Sequence, residues 1–470
     1  MNNNRPSICF YFQVHQPYRL RDLRITELGH GDAQYFDAEK NHQVFRKVAE
    51  KCYLPSNRLM LKLLEQHPEF RIAYSLSGVF LDQCEEYGPD VLDSFKALAA
   101  TGKVEFLAET YYHSLSSLKS IQEFCAQVKM HMDKIEKLFG QKSTVFRNTE
   151  LIFSNELAHT VKQMGFKGMI AEGADNLLYG RSPNVPYSPP EFMLSQPRYE
   201  CIVHNRPHAE PSKDLKILLK NYRLSDDVAF RFSDRSWVGF PLNAETFTDW
   251  LLSSGGHSVN LFMDYETFGE HQWADTGIFS FLEALPAIWA RRGVTCETPS
   301  QVIASWGDRP TDVYDAHNYV SWADTERDLS AWQGNAIQNS ALSALFALEQ
   351  PVRDAQDEKL LSDWRRLTTS DHFYYMCTKY WADGDVHKYF SPYDSPYEAY
   401  RRFSHALTDL RDRTSRAHER IKVKVEPEET VAVSAPQKHV RHPVIHFMRG
   451  IFDFLDVANS PTLESRHPKS

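Results

Sequence analysis

Four short strings hold the residues able to do chemistry, and each follows an apolar run. The first is His15-Gln16-Pro17, after Ile8 to Val14. A histidine there can hydrogen-bond a hydroxyl, and a plain turn explains it equally well. The second, Glu109-Thr110-Tyr111-Tyr112-His113, gathers a carboxylate, two aromatics and an imidazole. A metal would need two or three more ligands at suitable spacing, and none stands nearby. Sugar binding is the more economical reading, with a structural histidine as the plain alternative. The third, Phe146-Arg147-Asn148-Thr149-Glu150, sets a carboxylate beside a cation and an amide. Such neighbours keep a carboxylate ionised, as a nucleophile requires, although a surface Arg–Glu pair would look the same. The fourth string, Phe262 to His271, delivers Asp264, Glu266 and Glu270 within seven residues. Clustered like charges raise at least one pKa, which suits a general acid. A solvated acidic loop fits less well, because Phe262, Met263, Tyr265 and Phe268 interleave with the acids.

Glycosidic cleavage needs two carboxyl groups flanking one bond. Glu150 and Asp264 are the candidate pair, and only the fold can bring them together. The elements around them alternate. Strands are expected at Ile8–Val14, Phe70–Leu76, Val104–Ala108, Thr144–Asn148, Lys167–Ala171 and Val259–Met263. Helices are expected at Asn57–Gln66, Val91–Ala100, Gln122–Phe139 and Asn155–Met164. This order indicates a parallel α/β sheet or barrel, whose catalytic residues sit at the C-terminal ends of strands. Beyond about residue 310 the pattern turns helical, at Thr325–Leu348, Glu358–Thr369 and Pro396–Lys422. The expected organisation is a catalytic barrel over residues 1–310 and a helical region over 311–424 that completes the site. Residues 425–470 read as a linker, Val425 to His439, and a tail with one amphipathic stretch, Val444 to Val457.

Composition narrows the partners. A net charge of −9 argues against nucleic acid, whose binding needs a basic face. Aromatics reach 13%, which suits sugar faces and a Phe-rich core equally. No stretch approaches the apolar length of a membrane span. The seven cysteines (Cys9, Cys52, Cys84, Cys125, Cys201, Cys296 and Cys377) are odd in number and widely spaced, as reduced thiols are. With no visible secretory signal, the expected location is cytoplasmic. The sequence leaves the oligomeric state open.

Together the four strings resemble the motifs of glycoside hydrolase family 57, and Asp371-His372-Phe373-Tyr374-Tyr375-Met376 resembles its fifth motif. The match keeps the family's order from about residue 8 to about residue 380, and its wording is nearest the α-amylase branch. The resemblance implies an irregular (β/α)7 barrel followed by a C-terminal helical region. It implies an α-glucan or maltooligosaccharide substrate, cleaved with retention through a covalent glycosyl-enzyme. Glu150 would be the nucleophile and Asp264 the acid/base, with no metal or organic cofactor. His15, Glu109, His113, Arg147, Glu266, His271 and Asp371 would bind substrate, and Trp273 would stack on a sugar face or pack in the core. The same site serves a 4-α-glucanotransferase or a branching enzyme when a sugar hydroxyl replaces water. A catalytically silent glucan-binding protein is the reading of another class, and the presence of both catalytic carboxylates counts against it. A polysaccharide deacetylase would need a metal held by Asp and His.

Overall fold

The segment Ser7–Val14 is buried along its whole length, as its unbroken apolar and β-branched content demands of a parallel strand covered on both sides. It is β1 of a computed structural model that describes residues 5–29, 34–191, 211–379 and 386–425. Among these residues are six more strands: β2 (Ile72–Leu76), β3 (Val104–Phe106), β4 (Val145–Arg147), β5 (Gly168–Glu172), β6 (Lys216–Lys220) and β7 (Ser258–Asp264). All pair in parallel, in two ladders ordered β3-β2-β1-β7 and β4-β5-β6. The ladders join at two seams. At one, Ala108 donates to the Val145 carbonyl at 3.0 Å and accepts from Arg147 N–H at 2.8 Å. At the other, Asn260 Nδ2 donates to the Leu219 carbonyl at 2.8 Å, and Asn221 N–H donates to the Asn260 carbonyl at 2.9 Å. Seven strands therefore close into an irregular barrel, as expected.

The barrel interior is layered by the two-residue period of a strand. One inward layer is apolar: Tyr11, Ala73, Leu107, Val145, Ile170, Leu218 and Phe262 pack together in one cluster. Two residues further on, every strand or its immediate extension turns polar: Gln13, Ser75, Glu109, Arg147, Glu172, Lys220 and Asp264. The register confirms the layering. Tyr11 pairs with Ala73 and Phe262, whereas Gln13 pairs with Ser75 and Asp264, and Glu172 pairs with Lys220. A polar ring thus stands on a fully buried apolar plug at the C-terminal end of the barrel.

The expected strands and the four expected barrel helices all form, with ends shifted by a few residues. Strand β6 has no counterpart in the sequence reading, because only Ile217, Leu218 and Leu219 separate its two lysines. The helix Ile121–Phe139 starts at Ser120, whose side chain accepts from Glu123 N–H, and stops at Gly140 with φ 68°. It places His131 under the site: Nε2 meets the Leu76 carbonyl at 2.8 Å and Nδ1 meets Glu109 N–H at 3.3 Å. Burial pushes the His131 pKa down, so the neutral ring can donate at Nε2 and accept at Nδ1.

Beyond the barrel, the described residues are helical up to Val425, with a separate core that includes Trp332, Leu342, Trp364, Phe373 and Phe403. The long helix expected over Thr325–Leu348 is instead two, Ser330–Gln333 and Ala336–Phe346. Asn335 restarts the chain by accepting from Gln338 N–H at 2.9 Å, and the preceding residues form a loop in which Asp324 and Arg327 are left-handed. Residues Met1–Val423 pack as one compact unit. The expected linker and tail fall on 426–470 beyond the one helical residue Val425, and Cys201 on 192–210, both outside the described residues. The six other cysteines are free thiols. No described helix is long and apolar enough to cross a membrane.

Gly269, in the turn after β7, has φ 108°, and a Cβ there would collide with the Lys51 carbonyl oxygen. Gly269→Ala is expected to destabilise the protein by about 1–3 kcal/mol through strain at this backbone position, read as a lower denaturation midpoint. An unchanged midpoint would show that the turn relaxes freely.

Candidate active site

The polar ring floors a cavity of about 530 Å³. Glu150 enters it from the turn after β4, where its φ of 58° and that of Leu151, 49°, are both left-handed. Non-glycine residues hold such angles at a cost of about 1–3 kcal/mol each, and only when their surroundings fix them. The surroundings here are specific. Trp322 Nε1 donates to Glu150 Oε2 at 2.9 Å, and Ser370 Oγ donates to Oε1 at 2.9 Å. His113 Nε2 lies 3.4 Å from Oε1.

His113 is the hinge of the charge pattern. Its Nδ1 meets Glu109 Oε2 at 2.9 Å, and Gln13 Nε2 donates to Glu109 Oε1 at 3.2 Å. Burial opposes ionisation of both partners, yet their mutual hydrogen bond and attraction win. Glu109 is held down to about 2, and His113 is raised to about 9 with Glu150 adding to the pull. The imidazolium then does for Glu150 what it does for Glu109. Against burial, the hydrogen bond and charge of His113, with the fully buried Arg147, keep the Glu150 carboxyl below its ordinary value.

Asp264, at the end of β7, has the opposite environment. Burial and the negative charge of Glu150 raise its pKa to about 6, with Arg147 and Lys220 opposing. Glu266, two residues on, is raised to about 8 by burial and by Asp264, and accepts a hydrogen bond from the Tyr53 hydroxyl. Two carboxyl groups around one cavity are therefore tuned apart, Glu150 ionised and Asp264 protonated in mild acid.

His15 stacks on His113 with ring centroids 4.0 Å apart. Its Nε2 meets Asp371 Oδ2 at 3.0 Å, and its Nδ1 meets Ser77 Oγ at 2.7 Å. Burial and the neighbouring His113 push the His15 pKa down, while His15 and His113 hold the Asp371 carboxyl well below the usual range despite burial. His271 lines the same cavity, its pKa lowered to about 4 by burial, with its ring against Phe390.

Of the residues expected from the sequence, Glu150, Asp264, His15, His113, Glu266, His271 and Asp371 line the cavity. Glu109 and Arg147 are fully buried beneath it and act on its walls through His113 and Glu150. Trp273 is not among the lining residues: it is 59% exposed, with Lys51 Nζ 5.5 Å from its ring. Sequence reasoning missed Trp322, Ser370, Lys220, Arg327 and Glu172. Ser370 adjoins the fifth string, and its neighbour Asp371 was the available signal. Trp322 sits among small and polar residues just before the helix expected at Thr325–Leu348, and nothing local marks it.

The comparisons with known proteins decide what this site belongs to. The sequence profile of the glycosyl hydrolase family 57 matches residues 9–317. The chain belongs to glycosyl hydrolase family 57. A Methanocaldococcus jannaschii relative, named provisionally as an α-amylase, is 40% identical over 416 residues, covering 86% of this chain and 84% of that one. Among solved structures, the family 57 branching enzyme of Pyrococcus horikoshii superposes with TM-score 0.57 at 16% identity, over 79% of this chain and 86% of that one. The Thermococcus litoralis 4-α-glucanotransferase gives 0.55 at 16% identity over 78% of this chain, which spans 56% of that enzyme. These two likenesses concern the fold, and they agree with the family 57 barrel. Glu150 and Asp264 fall within the matched family segment, whereas Trp322, Ser370 and Asp371 lie beyond it.

Replacing His113 by Gln removes the cation facing Glu150. The acid limb of kcat/KM against pH is expected to move up by about one unit or more, the effect of losing a nearby opposite charge. An acid limb left in place would show that His113 does not set the Glu150 charge.

Proposed function

We propose that this family 57 member is a retaining α-glucan hydrolase of the α-amylase type, in which Glu150 is the nucleophile and Asp264 the general acid/base. The observation that carries the reading is the opposed tuning of these two carboxyls around one cavity. An ionised carboxylate can attack the anomeric carbon while a protonated one delivers its proton to the departing glycosidic oxygen. The result is a covalent glycosyl-enzyme and a released sugar hydroxyl. Asp264, now ionised, takes a proton from water, whose oxygen attacks the same carbon and returns Glu150 as a free carboxylate.

The other groups have supporting parts. Trp322 and Ser370 each hold one oxygen of Glu150 and so fix the direction of attack. His15 and Asp371 present a hydrogen-bonded pair to substrate hydroxyls, and the apolar walls at Met263, Trp332 and Phe390 suit sugar faces. The barrel over 1–310 and the helical region over 311–424 form one catalytic unit in this reading. Its support is that the former supplies Glu150 and Asp264, and the latter Trp322, Ser370 and Asp371. The substrate is an α-glucan or maltooligosaccharide, in keeping with the M. jannaschii relative's name. The free thiols fit a cytoplasmic protein, and the negative net charge speaks against nucleic acid as a partner.

The test is incubation with maltoheptaose and soluble starch, beside a Glu150→Gln variant. New reducing ends, lost in the variant, are expected. Altered chain lengths without new reducing ends would assign transfer between glucans, and no change in either would leave a binding protein.

The same reading sets a pH limb. Asp264 has a raised pKa, so its acid form is present below about 6 and lost as pH rises through that value. Activity on starch is expected to fall about tenfold per unit above it, as loss of a general acid requires. A flat profile to pH 8 would remove Asp264 from that role.

A further inference from the structure

The loop 321–329 carries Trp322 and is held from several sides. Its own ends are tied by Ser321 N–H to the Arg327 carbonyl at 3.1 Å and by Ser321 Oγ to the Asp328 carbonyl at 2.7 Å. Two of its residues, Asp324 and Arg327, have left-handed φ of 54° and 52°. Trp322 meets Glu150 twice: its backbone N–H reaches the Glu150 carbonyl at 3.3 Å, and its indole N–H reaches Oε2. Two cations stand near its ring, Arg147 from β4 at 5.2 Å and Lys220 from β6 at 5.4 Å.

The same loop has a second anchor, to a carboxylate outside the cavity lining. Arg327 Nη1 lies 3.0 Å from Glu172 Oε1, at the end of β5. Glu172 has no solvent exposure, and its second neighbour is Lys220 Nζ at 3.8 Å, which in turn meets Asp226 at 3.0 Å. Arg327, Lys220 and Trp322 line the cavity, but Glu172 does not. A buried carboxylate is costly unless paired, and here the pairing partner is a residue of the loop. Releasing the loop would leave Glu172 and Lys220 with Asp226, one cation short.

We propose that Glu172 is a positioning residue for catalysis: through Arg327 it docks the 321–329 loop, so that Trp322 holds the Glu150 carboxylate in its attacking direction. The inference rests on the reading of Glu150 as nucleophile. Glu172 touches neither the cavity nor Glu150; its ion-pair neighbours are Arg327 and Lys220, and of these Arg327 belongs to the loop that carries Trp322. The titratable and charged groups facing Glu150 from other elements are His113, Arg147, Asp264 and Asp371, whereas those acting on Glu172 are Lys220, Arg327 and Asp226.

The experiment is a double-variant cycle on the full chain, using Trp322→Phe, Glu172→Gln and the two combined. Trp322→Phe keeps one aromatic ring and removes the indole N–H together with the five-membered ring that bears it. It is expected to lower kcat about ten- to hundredfold, the range for a hydrogen bond to a charged group, and to move the acid limb of the pH profile upward as Glu150 loses a donor. Glu172→Gln is expected to do both in the same direction. The combined variant is expected to be no worse than the poorer single one, as groups acting through one contact are. If Glu172→Gln fails to fold, Arg327→Met breaks the same ion pair and is expected to give the same shift and the same lack of additivity. Effects that multiply in the combined variant, or a lowered melting temperature with an unmoved acid limb, would overturn the proposal. Retained activity in Glu150→Gln would instead overturn the reading beneath it.

Discussion

A ring of polar side chains set directly on a fully buried apolar layer is the constraint around which this protein is built. Tyr11, Ala73, Ile170, Leu218 and Phe262 fill the barrel, and two residues on the strands present Gln13, Ser75, Glu172, Lys220 and Asp264. Charges in such a place are poorly solvated from below and only partly from above. Each must find a counter-charge or a donor, or lose its charge. Glu109 finds His113, and Lys220 finds Asp226 and Glu172. Asp264 faces another carboxylate and is pushed towards its neutral form. The ring sorts its members by whether a partner is within reach.

That sorting is also the chemistry. A retaining glycosidase needs two carboxyl groups in opposite protonation states at one pH. Their identity as Glu and Asp has little to do with it. Glu150 sits among His113, Trp322 and Ser370, all able to donate to it, and Arg147 adds charge from below. The donors come from both the barrel and the helical region, so the packing of residues beyond 310 on the barrel bears on the Glu150 carboxylate itself.

The barrel strands and the proposed catalytic pair are legible in the sequence because each carboxylate follows an apolar stretch, short before Glu150 and longer before Asp264, and such stretches alternating with helices have few other places to go than buried parallel strands. Glu172 and Lys220 were not legible. A lysine flanking three apolar residues usually marks a solvated strand end, and its burial here depends on acids supplied by another strand and helix. Trp322 was hidden for a different reason. It stands among small and polar residues just before the expected helix, in a loop whose Asp324 and Arg327 are left-handed and whose Arg327 meets Glu172 from another strand. Trp273 shows the converse: it stands beside the fourth string in sequence, but past the turn at Gly269 its side chain is out in solvent.

The most direct measurement is the mass of the covalent intermediate. An Asp264→Asn variant cannot serve as acid or base, but an α-maltosyl fluoride has a leaving group that needs no proton. Glycosylation should proceed and hydrolysis should stall, so the account predicts a maltosyl adduct on the peptide that contains Glu150. Turnover without any adduct, or an adduct on a different residue, would contradict it.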